Sequence, residues 1–259
     1  MAHARKRSAQ VFVAACLGAF GAWAPLARGA GETGSGAPAP SIPADASSGS
    51  GIGVNAAELN SVVSNPFLMF STLRRAIYVG KERDGDTGQA FKVRLELTAR
   101  DTVETIAGVK VTVIDATDFA GDEVVERARK FYAQHRSGDV YCIAEHIDDY
   151  EGGKMVGHEG QWVAGENGSQ AGLLMPATPK PGDVFEPERA PGIAQERSKV
   201  VSTARTVKVP AGTFKDCIET EVYDPIGKNT VRRWYCPGAG LVKEVGVERV
   251  IELASREPR

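Results

Sequence analysis

Residues 91–97 read Phe-Lys-Val-Arg-Leu-Glu-Leu, with every second side chain apolar and every side chain between them charged. A helix cannot sort these residues onto two faces, because its own repeat is 3.6 residues, whereas a strand turns successive side chains to opposite sides. The stretch is a half-buried strand, with Phe91, Val93, Leu95 and Leu97 on one face and Lys92, Arg94 and Glu96 on the other. Arg83–Gly88 before it is a hairpin turn, since Asp-Gly tolerates positive φ. Gly108–Phe119 is the next strand, rich in β-branched residues. Asp122–Gln134 has the composition of a helix, but its neighbours are strands and it is read as one of them. Turns at 136–139 and 150–154 continue the series, and strands resume over 198–214 and 240–255. Strands and turns alternating about every ten residues define the fold class: mainly β, a single antiparallel sheet, curved or drawn into a half-barrel. One segment is expected to break the pattern. Gly172–Arg197 carries prolines at 176, 179, 181, 187 and 191, which bar it from central strands and predict a long flap crossing the sheet.

The N-terminal part has a different texture. Met1–Arg7 is basic, 11–23 is short and apolar, and 24–30 is rich in small residues, the order of a secretory signal peptide over residues 1–29. The apolar run falls short of the ~18 residues of a spanning helix. Cleavage is expected within Ala24–Ala30, with Ala27-Arg28-Gly29 as the best frame. A competing reading treats Val13-Ala14-Ala15-Cys16 as a lipobox, with Cys16 the acylated first residue of a lipoprotein; the apolar run continues past Cys16, which favours ordinary export. Both routes lead out of the cytoplasm, to the periplasm or beyond, and leave the membrane touched only by the signal segment or a lipid anchor. Residues 30–60 are read as a flexible linker, because Gly, Ser, Ala and Pro predominate and offer little to offset the entropy of ordering. A short helix is expected near Ala56–Val63, ended by Pro66. The β domain is expected over 61–255.

Charge narrows the partners. Lys and Arg number 31 against 33 Asp and Glu, so the chain lacks the basic excess that a nucleic-acid partner would require.

The hairpin around Asp224–Asn229 makes the sharpest prediction. If it is centred on Ile226-Gly227, Cys217 stands opposite Cys236, Glu221 opposite Arg232 and Thr220 opposite Arg233. Opposed cysteines in an antiparallel pair lie within reach of a disulfide, and an exported protein would oxidise them. A register slip of one residue would put the two sulfurs on opposite faces. Cys142 is left over; a buried free thiol is the simplest reading, and pairing with one of the other two is the main alternative.

Val209–Cys217 (Val-Pro-Ala-Gly-Thr-Phe-Lys-Asp-Cys) and Arg232–Val245 (Arg-Arg-Trp-Tyr-Cys-Pro-Gly-Ala-Gly-Leu-Val-Lys-Glu-Val) resemble the C-terminal signature of a family of exported bacterial proteins of unknown function. Asn65-Pro66 and the Trp162 strand followed by Met175-Pro176 extend the likeness over about 63–247. The resemblance implies an exported antiparallel β domain. It implies no reaction and carries no catalytic residue.

The residues that could do chemistry are few and scattered. Glu145, His146, Asp148, Asp149 and Glu151 could serve a hydrolase or a metal-dependent enzyme, but are read as a solvated hairpin end. Asp84 and Asp86 lack a full calcium-loop pattern, and His158 beside Glu159 would point the other way in a strand. Trp162 and Trp234 are expected to pack the sheet. The expectation is therefore a non-catalytic envelope protein with no catalytic residue, metal or cofactor, whose sheet binds an apolar or extended ligand or a partner protein.

Overall fold

The computed structural model describes residues 51–259. Cys16, the segment expected as a signal peptide and residues 30–50 of the expected linker lie outside the described residues.

Fifteen strands among the described residues join in one antiparallel sheet. They are β1 (Leu59–Asn60), β2 (Leu73–Arg83), β3 (Ala90–Ile106), β4 (Val109–Ala120), β5 (Glu123–His135), β6 (Val140–Glu151), β7 (Lys154–Gly157), β8 (Trp162–Val163), β9 (Gly172–Met175), β10 (Val184–Ala190), β11 (Ala194–Val209), β12 (Gly212–Asp224), β13 (Asn229–Cys236), β14 (Gly240–Val245) and β15 (Arg249–Pro258). The hydrogen-bonded path runs β10-β11-β12-β13-β14-β15-β2-β3-β4-β5-β6-β7. Nearly every step is a hairpin between sequence neighbours. The long-range exception is β15 against β2, which brings the C-terminal strand beside the first long one. The period-two reading of β3 holds: Val93, Leu95 and Leu97 are buried in the single apolar core. Asp122–Gln134 is indeed strand, as β5.

The sheet curves without closing. Its two ends approach where Gln170 N–H, just before β9, donates to the Arg189 carbonyl of β10 at 2.9 Å, an isolated bridge. Gly172 makes this approach possible, since a Cβ there would lie 1.9 Å from the Pro187 carbonyl oxygen.

Three expectations need correction. The proline-rich segment 172–197 is not a flap: it contains β9, β10 and the start of β11. Pro187 is tolerated because β10 ends the hydrogen-bonded path and its register shifts between Phe185 and Glu188, so no regular ladder bond depends on the missing N–H. The ordered body also begins before residue 61. Ile52 and Leu59 are buried, and β1 pairs with β5, because these two apolar side chains anchor an otherwise small-residue stretch. The short helix there is a single 3-10 turn, Ala56–Glu58, whose Asn55 side chain accepts from Ala57 N–H. At the other end β15 runs to Pro258, beyond the expected limit of 255.

The β12–β13 hairpin has the register read from the sequence. Glu221 pairs with Arg232 and Thr220 with Arg233, and the Cys217–Cys236 disulfide closes the ladder with Cα atoms 4.1 Å apart. Cys142 is corrected: it is buried, but it is disulfide-bonded and not a free thiol. With Cys217 and Cys236 bonded to each other, the alternative pairing with either of them also falls.

Candidate functional site

The concave face combines apolar packing with buried charge. Three buried cations each stand in register opposite a buried carboxylate: Lys130 opposite Glu145, Arg233 opposite Glu244, and Arg249 opposite Glu82. The contacts are short, with Lys130 Nζ 2.9 Å from Glu145 Oε1, Arg233 Nε 2.8 Å from Glu244 Oε2, and Arg249 Nη1 3.1 Å from Glu82 Oε2. Both arginines also reach past their neighbouring strand. Arg233 forks onto Glu196 of β11 at 2.9 and 2.8 Å, and Arg249 donates to Asp118 of β4 at 2.7 Å. The strands between them supply the curvature that makes these spans short.

Burial sets the electrostatics. It pushes the carboxyls of Glu82, Asp118 and Glu145 above the ordinary carboxylate range, against the pull of Arg249 and Lys130. Glu244 is pushed up to about 7 by burial, against the pull of Arg233. Burial opposes the charge on Lys130, but Glu145 and Glu126 together hold its ammonium above the usual value. Such paired groups act as structural contacts: each cation is held on carboxylates, and breaking one pair would strand a buried charge.

The acidic stretch 145–151 is neither a loop nor a solvated hairpin end. Strand β6 spans Val140–Glu151 and splits it between two faces. Glu145 and Asp149 are buried, Glu145 on Lys130 and Asp149 accepting from Glu159 N–H at 2.8 Å. His146 packs edge-on against Phe131, and Asp148 meets His158 at 3.0 Å in a partly exposed pair. The strand's alternation therefore separates the five side chains that a metal or hydrolytic site would need together. Among the described residues no group of three or more His, Cys, Asp or Glu is arranged to hold a metal ion. His158 and Glu159 occupy a turn, not a strand, and Asp84 caps its own hairpin by accepting from Asp86 N–H and Thr87 N–H. Trp162 is buried in the core, and Trp234 packs half-buried against it.

Two hollows flank the β13–β14 turn and share Ala239 and Arg256. The inner one is a narrow cleft lined by Leu68, Phe70, Leu73, Leu97 and Leu241, with about 20 Å³ of room, roughly one water. Tyr78 lines it too, its hydroxyl donating to the Leu241 carbonyl at 2.9 Å. The outer one is an open groove of about 520 Å³ lined by Ala211, Phe214, Pro237, Leu253 and Ala254. Two of its walls are the β11–β12 and β13–β14 turns. Ala211 N–H donates to the Leu253 carbonyl at 3.0 Å, and Gly238 N–H to the Pro66 carbonyl at 2.9 Å. Gly238 holds a φ of 74° and Gly240 of 82°, conformations that suit residues without a side chain. Arg256 donates to Thr72 Oγ1 at 3.2 Å and forms no ion pair among the described residues. Nothing local in the sequence points to this groove, because the β11–β12 turn and β15, which meet in it, are separated in the chain by three strands.

The fold thus defines a class: an open, curved antiparallel β-sheet protein with a stapled C-terminal hairpin. No protein-family model matches the chain, and no curated protein is significantly similar to it. Among solved structures, a crystal structure of a candidate lipoprotein from Parabacteroides distasonis is similar at 13% identity and a TM-score of 0.37, over 72% of this chain and 99% of that one. Likeness at that level does not amount to a shared fold. No helix among the described residues is long and apolar enough to cross a membrane.

Proposed function

We propose that this is an exported, non-catalytic envelope protein whose β domain binds an apolar ligand outside the cytoplasm. The disulfide carries the reading. Cys217 and Cys236 oppose each other in a regular hairpin, and such a crosslink persists in an oxidising compartment. The signal-peptide order of residues 1–29 points the same way, with acylation of Cys16 as the route by which the protein would stay anchored. A non-catalytic role is supported by the separation of the acidic stretch on β6 and by the pairing of the buried carboxylates with Lys130, Arg233 and Arg249. The open groove at the β13–β14 turn offers room for a ligand, its volume lying in the roughly 300–1,000 Å³ range of ligand pockets, with Phe214, Pro237 and Leu253 as its apolar lining.

Cell fractionation with mass spectrometry of the natively purified protein tests this. The expected outcome is a chain outside the cytoplasm, shortened within Ala24–Ala30 or acylated at Cys16, with Cys217 and Cys236 bonded. A full-length cytoplasmic chain with both thiols free would overturn it.

A further inference from the structure

We infer that the groove between the two signature turns holds a fatty acid, its acyl chain against Phe214, Pro237 and Leu253 and its carboxylate on Arg256. This rests on the ligand-binding reading above and names the ligand. Two observations carry it. The groove sets the apolar side chains of Phe214, Pro237 and Leu253 beside small residues, Ala211, Ala239 and Ala254, which leave it open. Its single charged wall residue is Arg256, a half-buried guanidinium that forms no ion pair among the described residues. A guanidinium offers a planar pair of donors that a carboxylate fills with two parallel bonds, and partial burial strengthens the contact. The complement to one such cation beside one apolar trough is a singly charged head on a single chain.

The same arginine lines the inner cleft. Leu68, Phe70 and Leu73 close that cleft from the segment before β2, and its room for about one water keeps the acyl chain in the groove. The disulfide stands at the base of this arrangement. It ties β12 to β13 between Phe214 on one wall and Pro237 on the other, which fixes their separation.

The test is a binding titration on the purified, oxidised full domain with palmitate, hexadecanol and palmitoyl lysophosphatidylglycerol as probes. Wild type is compared with Arg256→Gln and with Ala254→Phe, which fills the groove. Palmitate is expected to bind tenfold or more tightly than hexadecanol. Arg256→Gln should remove that difference by weakening palmitate tenfold or more and hexadecanol far less, and Ala254→Phe should abolish binding of both. Circular dichroism and thermal unfolding confirm that each variant folds. Palmitate binding that is indifferent to both substitutions places the ligand elsewhere and overturns this inference, while the ligand-binding reading stands. Tighter binding of the lysophospholipid than of palmitate assigns the groove to a phosphate headgroup and likewise overturns it. Binding of none of the three probes overturns the inference and the apolar-ligand reading together, with export still decided separately by fractionation.

Discussion

Arg232 and Arg233 are adjacent in β13 and lead opposite lives. Arg232 faces outward, its side chain 53% exposed, and meets Glu219 at 3.2 Å and Glu221 at 3.8 Å. Arg233 faces inward, 1% exposed, and holds Glu196 and Glu244 together. One residue step in a strand changes the face, and with it the dielectric surroundings. Outside, water reaches the Arg232 guanidinium and Glu221, and the buried Glu219 keeps Arg205 as a second cation, so Arg232 itself contributes little. Inside, the desolvated charges depend on one another, and removal of one leaves the rest uncompensated. The lesson is that an ion pair's importance here is set by its face and not by its chemistry.

The comparison can be broken most severely at Arg233. Arg233→Ala leaves Glu196 and Glu244 buried without their shared cation, and is expected to cost about 3–5 kcal/mol in denaturant unfolding. A loss below about 1 kcal/mol would show that the inner face behaves like the outer one.

The next effect belongs to the crosslink on Arg232's side of the hairpin. Cys217→Ser with Cys236→Ser opens a loop with a sequence separation of 19, which on the chain-entropy estimate removes about 3 kcal/mol. Thermal unfolding of the double variant beside the wild type measures it. No change on reduction of the wild type would show that the ladder alone holds the hairpin.

The third prediction concerns pH. Folding raises the Glu244 carboxyl from an ordinary 4.5 to about 7. Between those values the folded state binds the proton more readily than the unfolded one. This group's contribution to stability therefore falls as pH rises from about 4.5 to 7 and levels off above that. The slope is at most about 1.4 kcal/mol per pH unit for one proton. Glu244→Gln keeps an acceptor for Arg233 and should flatten the stability profile between pH 5 and 7, as read by urea unfolding at several pH values. A profile that is unaltered by the substitution would place the titration elsewhere.

The smallest effect is expected at Arg232. Arg232→Ala should cost about 0.2–1 kcal/mol, and high salt should shrink even that. A loss comparable with that of Arg233→Ala would remove the contrast between the faces.

Local features were legible in the sequence because they depend on near neighbours. Alternation placed Val93, Leu95 and Leu97 on one face, and the turn at Asp224–Asn229 fixed the pairing of Glu221 with Arg232. The prolines misled because their cost depends on whether a strand lies at an edge, and Pro187 lies in the strand that ends the path. The acidic stretch misled for a related reason. The expected solvated hairpin end fails because a strand turns alternate side chains inward, which buries Glu145 and Asp149.

By itself, then, the sequence determined the strands outside the proline-rich segment, the hairpin register and the opposition of Cys217 to Cys236, since a period of two and a turn of known length leave few alternatives. The tertiary structure alone decided which distant groups meet. Arg233 finds Glu196 at a separation of 37 residues, Arg249 finds Asp118 at 131, and the two signature turns meet β15 to make the groove. Arg249 meets Asp118 because β15 pairs with β2, and Arg233 meets Glu196 because β12 sets β11 and β13 on its two sides, arrangements that no local pattern encodes.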